Sequence, residues 1–200
     1  AIEALVERLD RLPLAIELAA SRVGVLGPRD LLERLDAQMT LSGHRPGDVS
    51  RRETLRGTIQ WSWALLQPAH RLALAQASLF RGGFTLEGAE AVITLPGGES
   101  VAEAIGHLRE ASLLQATPKP GGRLRYGFLE SIRQFALEQL GDDIAQEARA
   151  RCQAYFQRRG SALEQEIRGP EGVDASLELL DEEENILGAF RGALEGGDGP

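Results

Sequence analysis

The side chains best suited to chemistry are few, and none of them converge. Cys152 stands alone, so neither a disulfide framework nor a thiolate metal site can be assembled. It falls between Ala148 and Phe156 on the apolar face of a helical pattern. It reads as a structural thiol, because free cysteine is among the most buried residue types. The three histidines, His44, His70 and His107, lie far apart and share no ligand spacing. His107 has no carboxylate partner that would make it a general base and is expected at a solvated or capping position. The run Asp181-Glu182-Glu183-Glu184 spreads around a helix instead of converging on a cation. It is expected as a solvated face or as charge near a helix N-terminus. No GxxxxGK[ST] phosphate loop, GxSxG, HExxH or CxxC occurs. The expectation is a chain that is not an enzyme, with no catalytic residue and no metal or cofactor of its own.

The elements that position these residues are mostly helical. Ile2, Leu5 and Leu9 share one face, and Leu14, Leu18 and Val23 continue it after Pro13. Pro13 removes an amide donor, so two short helices are expected with a corner at Arg11-Leu12-Pro13. A third runs from about Arg29 to Gln38 behind Gly27-Pro28, with Leu31, Leu32 and Leu35 inward. Residues 42–50, SGHRPGDVS, read as a linker.

Ser50 to Glu53 has capping-box spacing and opens a helix with Leu55, Ile59, Trp63 and Leu66 on one face. Trp61 and Trp63 stand about 200 degrees apart on that helix, so one should face the core and the other a neighbouring domain or groove. Gln67-Pro68 starts a helix carrying Leu72, Leu79 and Phe80 and closed by Gly82-Gly83; Thr85 caps a short one to Ile93, and Ser100 opens another with Val101, Ile105 and Leu108. The period then changes to two at 113–117 and at Leu124, Tyr126 and Phe128, predicting a β-hairpin around Pro118 to Gly122. Helices followed by a hairpin is the order of a winged helix. Ile132, Phe135, Ala136 and Leu140 form the next face, with Gly141 as its C′ residue. A long helix carries Ile144, Ala148, Cys152, Tyr155, Phe156 and Leu163, and Val173, Leu177, Leu180, Leu187 and Leu194 set one or two more after Gly169-Pro170. The expected fold is mainly α: a small helical domain, a winged helix with a short β-hairpin, then antiparallel helices.

Composition narrows the classes. With 200 residues, 42% hydrophobic and 26% charged, the chain is of globular type. Its formal net charge of −8 opposes a strong electrostatic grip on nucleic acid or anionic membrane. The basic side chains are 21 Arg and one Lys, which reads as high-GC codon usage. No apolar run reaches the ~18 to 20 residues that span a bilayer, and nothing resembles a signal peptide, so a cytoplasmic chain is expected. Because Ala1 already lies in an amphipathic stretch and Gly199-Pro200 follows another, a piece of a longer protein is expected.

Six strings carry a resemblance that covers nearly the whole chain. Leu12-Pro13-Leu14-Ala15-Ile16-Glu17-Leu18-Ala19-Ala20 resembles the GLPLA segment of NB-ARC and related STAND nucleotide-switch ATPases. It is followed, in the order seen in bacterial predicted-ATPase transcription regulators of the SARP and LuxR type, by Leu31 to Leu35 with Thr54-Leu55-Arg56, and then by Trp61 to Pro68. The strings Leu79 to Glu87 and Arg125 to Ala136 complete the set, and Glu183 to Leu187 is similar to the lead-in of their tetratricopeptide-like repeats. The resemblance implies a helical domain at 1–45 that follows a nucleotide-binding core, a winged-helix domain at 50–130, and a helical bridge with the start of the repeats at 131–200. ADP or ATP with Mg is implied for the full-length protein only, with Pro13 and Leu14 at the nucleotide and Phe128-Leu129-Glu130 in place of the family's MHD motif. Leu129 replaces the histidine that contacts the ADP β-phosphate, and leucine cannot donate that hydrogen bond; Glu130 keeps the acidic position. Read without the family, Pro13 is equally a helix corner, and Phe128 and Leu129 suit the core between wing and helix.

The leading expectation is therefore a non-catalytic regulatory arm of a STAND-type signalling ATPase, whose partners are its own nucleotide-binding core and sensor repeats. A DNA-binding winged helix of a transcription regulator is the alternative. It is disfavoured because the candidate recognition helix at 100–112 sets Glu103 and Glu110 against Arg109, leaving only Lys119, Arg123 and Arg125 of the wing positive. A helical protein-interaction scaffold is the third reading.

Overall fold

The computed structural model describes residues 1–24, 26–41, 51–170 and 172–195. The linker at 42–50, with His44 and the Ser50 end of the capping box, lies outside the described residues. The fold is mainly α with one two-stranded antiparallel sheet.

Three short helices open the chain: α1 (Ile2–Arg8), α2 (Pro13–Ala20) and α3 (Pro28–Leu41). The corner expected at 11–13 is a paired device. Asp10 takes a left-handed φ of 51°, and the Asp10 and Arg11 amides donate back to the Glu7 and Val6 carbonyls. These bonds satisfy carbonyls that the end of α1 would otherwise leave open. Pro13 then starts α2 at a first-turn position, where its missing N–H costs nothing. Leu5, Leu9, Ala15, Ala19, Leu31 and Leu35 form a small core that Trp61 of α4 (Arg51–Ala64) closes.

The larger core belongs to the middle of the chain. Helices α5 (Pro68–Ala77), α6 (Leu86–Val92) and α7 (Val101–Glu110) precede the hairpin β1 (Gln115–Pro118) and β2 (Leu124–Gly127). Ala116 faces Tyr126 and Thr117 faces Arg125 in its register. Phe84 adds a one-residue third strand, exchanging both backbone hydrogen bonds with Tyr126 at 2.8 Å. Gly83 is required beside it: its φ is 81°, and a Cβ there would meet the Tyr126 carbonyl oxygen at 2.5 Å. Helix, strand stub, two helices and hairpin make a winged-helix arrangement. Thr85 and Ser100 cap α6 and α7 as expected, accepting from the amides of Gly88 at 3.1 Å and Glu103 at 3.3 Å.

Three sequence expectations shift here. The first strand starts at Gln115 rather than 113, because Ser112 takes a left-handed φ of 57° and the Leu113 amide closes back on the Leu108 carbonyl, burying Leu113 and Leu114. Gly141 is not a left-handed C′ residue. After α8 (Glu130–Glu138) it has φ −65° and caps the start of α9 (Asp142–Ile167). Ile144 is exposed on α9, whose inner face is Ala145, Ala148, Phe156 and Leu163.

The last helix, α10 (Gly172–Glu195), packs along α9. Helix α9 in turn is bound to the winged helix. Arg151 donates to the Val92 carbonyl and to buried Gln76, Tyr155 lies against Gly88, and Phe156 meets Phe80 edge-on.

Candidate functional site

The densest polar arrangement joins the wing to α10. Strand β2 alternates its side chains across the sheet, which sends Tyr126 to the core and Arg125 to the opposite face. On α10, Glu178, Asp181, Glu182 and Asn185 recur at helical spacing and form one stripe. The two meet. Arg125 and Glu182 are a buried pair, 8% and 4% exposed, with guanidinium nitrogens at 2.6 and 3.2 Å from the two carboxylate oxygens. The rest of the Arg125 fork is also used. It donates to the carbonyls of Gly82 at 3.0 Å and Gly83 at 3.1 Å and to that of Asp181. Asn185, also buried, donates to Glu182 at 2.7 Å and to the Gly83 carbonyl at 2.8 Å, and accepts from the Arg81 amide at 2.8 Å. A charge taken out of water is tolerated only when its hydrogen bonds are met, and here they are.

Around this pair the other two wing cations hold more exposed ion pairs. Lys119 Nζ lies 2.7 Å from Asp181, and Arg123 lies 2.7 Å from Glu178. Arg159 of α9 bonds Glu178 at 2.6 Å and Glu166 at 2.9 Å. Burial alone would push the Glu178 carboxyl up, but Arg159 and Arg123 outweigh it and hold the group below the usual carboxylate range. The Arg159 guanidinium is raised in turn, first by its hydrogen bond to Glu178. These residues line a concavity of about 170 Å³ between the wing and the α9–α10 pair.

The acidic run is thus not a solvated face throughout: Glu183 and Glu184 are exposed, whereas Asp181 and Glu182 are bonded to the wing. The signal was present in the sequence, as three cations on a hairpin and acids at 178, 181 and 182 on a helix, but nothing local paired them. Helix α10 also turns over relative to its apolar pattern. Val173 and Leu180 are 77% and 68% exposed, and Leu177 and Leu187 are exposed too, because the inner face carries Glu178, Glu182 and Asn185 beside Ala175, Ile186 and Ala189.

The residues singled out from sequence are placed as follows. Pro13 is exposed at the first turn of α2, and Leu14 packs partly buried against the main core. Leu129 precedes α8 and packs partly buried against that same core, as does Phe128. Glu130 is exposed in the first turn of α8; its hydrogen bond from Arg133, at 2.8 Å, holds its carboxyl below the ordinary range. Among the described residues no hydrogen bond or ion pair links Pro13 or Leu14 to Leu129 or Glu130. Cys152 is partly buried against the main core, and burial together with Glu182 pushes its thiol up to about 12. His107 is exposed as expected, but it does have a carboxylate neighbour: its Nδ1 lies 3.5 Å from the likewise exposed Glu110, and its ring is tilted by 30° against that of His70 with centroids 4.7 Å apart. Among the described residues no group of three or more potential metal ligands converges, and no helix is long and apolar enough to cross a membrane.

No family model matches the chain. Over 98% of its length it is 34% identical to proteins of Mycobacterium bovis and Mycobacterium tuberculosis that are named, provisionally, HTH-type transcriptional regulators. The chain spans 22% of the length of those relatives. It is also 38% identical over 138 residues, 68% of the chain, to an uncharacterized protein of M. tuberculosis, of which it covers 35%.

Proposed function

We propose that this chain is an internal, non-catalytic module of a transcriptional regulator, in which a winged helix is clasped to a C-terminal helical pair and passes conformational change between the parts on either side. The names of the relatives support the regulator reading, and their match runs along nearly the whole chain. In its finer form the module is the regulatory arm of a STAND-type ATPase, with ADP or ATP and Mg held by a nucleotide-binding core outside these residues. The ordered strings from Leu12 to Ala136 support that form. The observation that carries the coupling role is the clasp: Lys119, Arg123 and Arg125, the cations a DNA-reading wing offers to phosphates, are each bonded to an acid of α10.

A second reading, that the winged helix itself binds DNA, fits the relatives' names better than the ATPase arm does. Against it stand the occupied wing and the surface of α7, where Glu103 and Glu110 are exposed beside Arg109. Fluorescence anisotropy with duplex DNA separates the two. The coupling reading expects no sequence-selective binding near physiological salt, from the wild-type chain or from Glu182→Gln. Selective binding by the wild-type chain, falling steeply with salt, gives the function to DNA reading.

A further inference from the structure

The arginines of the clasp are all bonded, but three further along α10 are not bonded among the described residues. Among the described residues the guanidinium groups of Arg81, Arg149 and Arg191 hold no ion pair and no hydrogen bond. They come from three elements, the segment after α5, α9 and α10, and they line one concavity of about 480 Å³. No carboxylate lines it among the described residues. In a chain of net charge −8 this is an inverted patch, and like charges gathered at one surface repel unless an anion joins them.

The concavity is built rather than incidental. The Arg81 backbone is fixed to α10 by its 2.8 Å hydrogen bond to buried Asn185. Gly188 lets the Arg81 side chain lie across the helix, since a Cβ there would stand 3.3 Å from its Nε and 3.4 Å from its Cδ. One turn on, Gly192 leaves open space in the lining. Gln153, one turn beyond Arg149 on α9, adds an amide that makes no hydrogen bond among the described residues.

We infer that this groove binds a compact phosphoryl anion carrying two or more negative charges. The planar guanidinium fork matches phosphate oxygens two at a time, and three forks suit a ligand with more than one phosphate. The volume falls in the range of small-molecule sites, about 300 to 1,000 Å³. Because Arg81 follows the first winged-helix helix while Arg149 and Arg191 sit on α9 and α10, a bound anion ties these parts together and stabilises the fold by linkage. The inference does not depend on the regulator reading.

Calorimetric titration of the chain with inorganic pyrophosphate at low ionic strength tests it. One site is expected, with Kd below roughly 1 mM. The double variant R149Q/R191Q is expected to weaken it at least tenfold. R168Q, which removes an exposed arginine bonded to Glu164, is expected to leave it unchanged. Arg149 and Arg191 stand exposed on helices without partners among the described residues, so the double variant should melt like the wild type without ligand. Pyrophosphate should raise the Tm of the wild type alone. No binding at millimolar pyrophosphate, equal weakening by R168Q, or sulfate bound as tightly as pyrophosphate each overturns the inference.

Discussion

Glu182 is the residue on which the wing contact turns. Replacing it by glutamine leaves the Arg125 guanidinium buried beside a neutral amide, and removing one partner of a buried pair typically costs about 3 to 5 kcal/mol. Denaturant unfolding of Glu182→Gln should show a loss of that order, and Arg125→Met with Glu182→Leu together should recover part of it. Glu178 sets a pH dependence. Its folded carboxyl is lowered, so its contribution is present above the ordinary glutamate pKa, about 4.3, and is lost as pH falls through the lower folded value. Acid titration of stability should therefore steepen below about pH 4 in the wild type and flatten in Glu178→Gln. The cations of this contact were legible in the sequence as a basic wing. Their use was not, because charge pairing across 57 residues of chain leaves no local pattern.

At the scale of elements, helix starts were legible because proline, threonine and serine act locally: Pro13, Pro68, Thr85 and Ser100 all open helices where expected. Closures were harder to read: α5 ends at Ala77, before the Leu79, Phe80 and Gly82-Gly83 expected to complete it, and Gly141 opens α9 instead of closing α8. Ser112 holds the left-handed position that ends α7, and its amide and that of Leu113 bond back to Arg109 and Leu108. Glycine takes this conformation without a Cβ penalty, so Ser112→Gly should stabilise the chain by up to about 1 kcal/mol, a Tm rise of roughly 2 to 4 °C. Helix α10 misled for a different reason. Apolar periodicity normally marks the inner face, but here the wing demands acids there and the leucines point to solvent. Leu180→Glu should therefore change stability by less than about 0.5 kcal/mol, as exposed positions do. Ala175→Glu, at a buried position of the same helix, should be strongly destabilising. Melting curves giving the reverse order would return the leucine stripe to the interior.

Across the whole molecule, two cores share α2 and α4. Leu18 and Ile59 belong to the larger, whereas Ala15, Ala19 and Trp61 belong to the smaller, and Leu55 packs against both. The tryptophan pair divides in the same way, as helical geometry requires of residues two apart. Trp61 is buried among α1, α2 and α3, and Trp63 meets Phe135 edge-on at 5.8 Å on the larger core. This division gives each indole a different domain of influence. Trp61→Ala should release roughly 3 to 5 kcal/mol of packing from the first three helices. Their amides should exchange faster by hydrogen exchange while those of α5 to α7 keep their protection, because local opening follows local packing. Trp63→Ala should do the opposite, accelerating α4 and α8 around Phe135 and leaving α1 least affected. If both variants instead speed exchange uniformly, the two cores open as one cooperative unit, and the shared helices α2 and α4 bind them more tightly than their separate side-chain clusters imply.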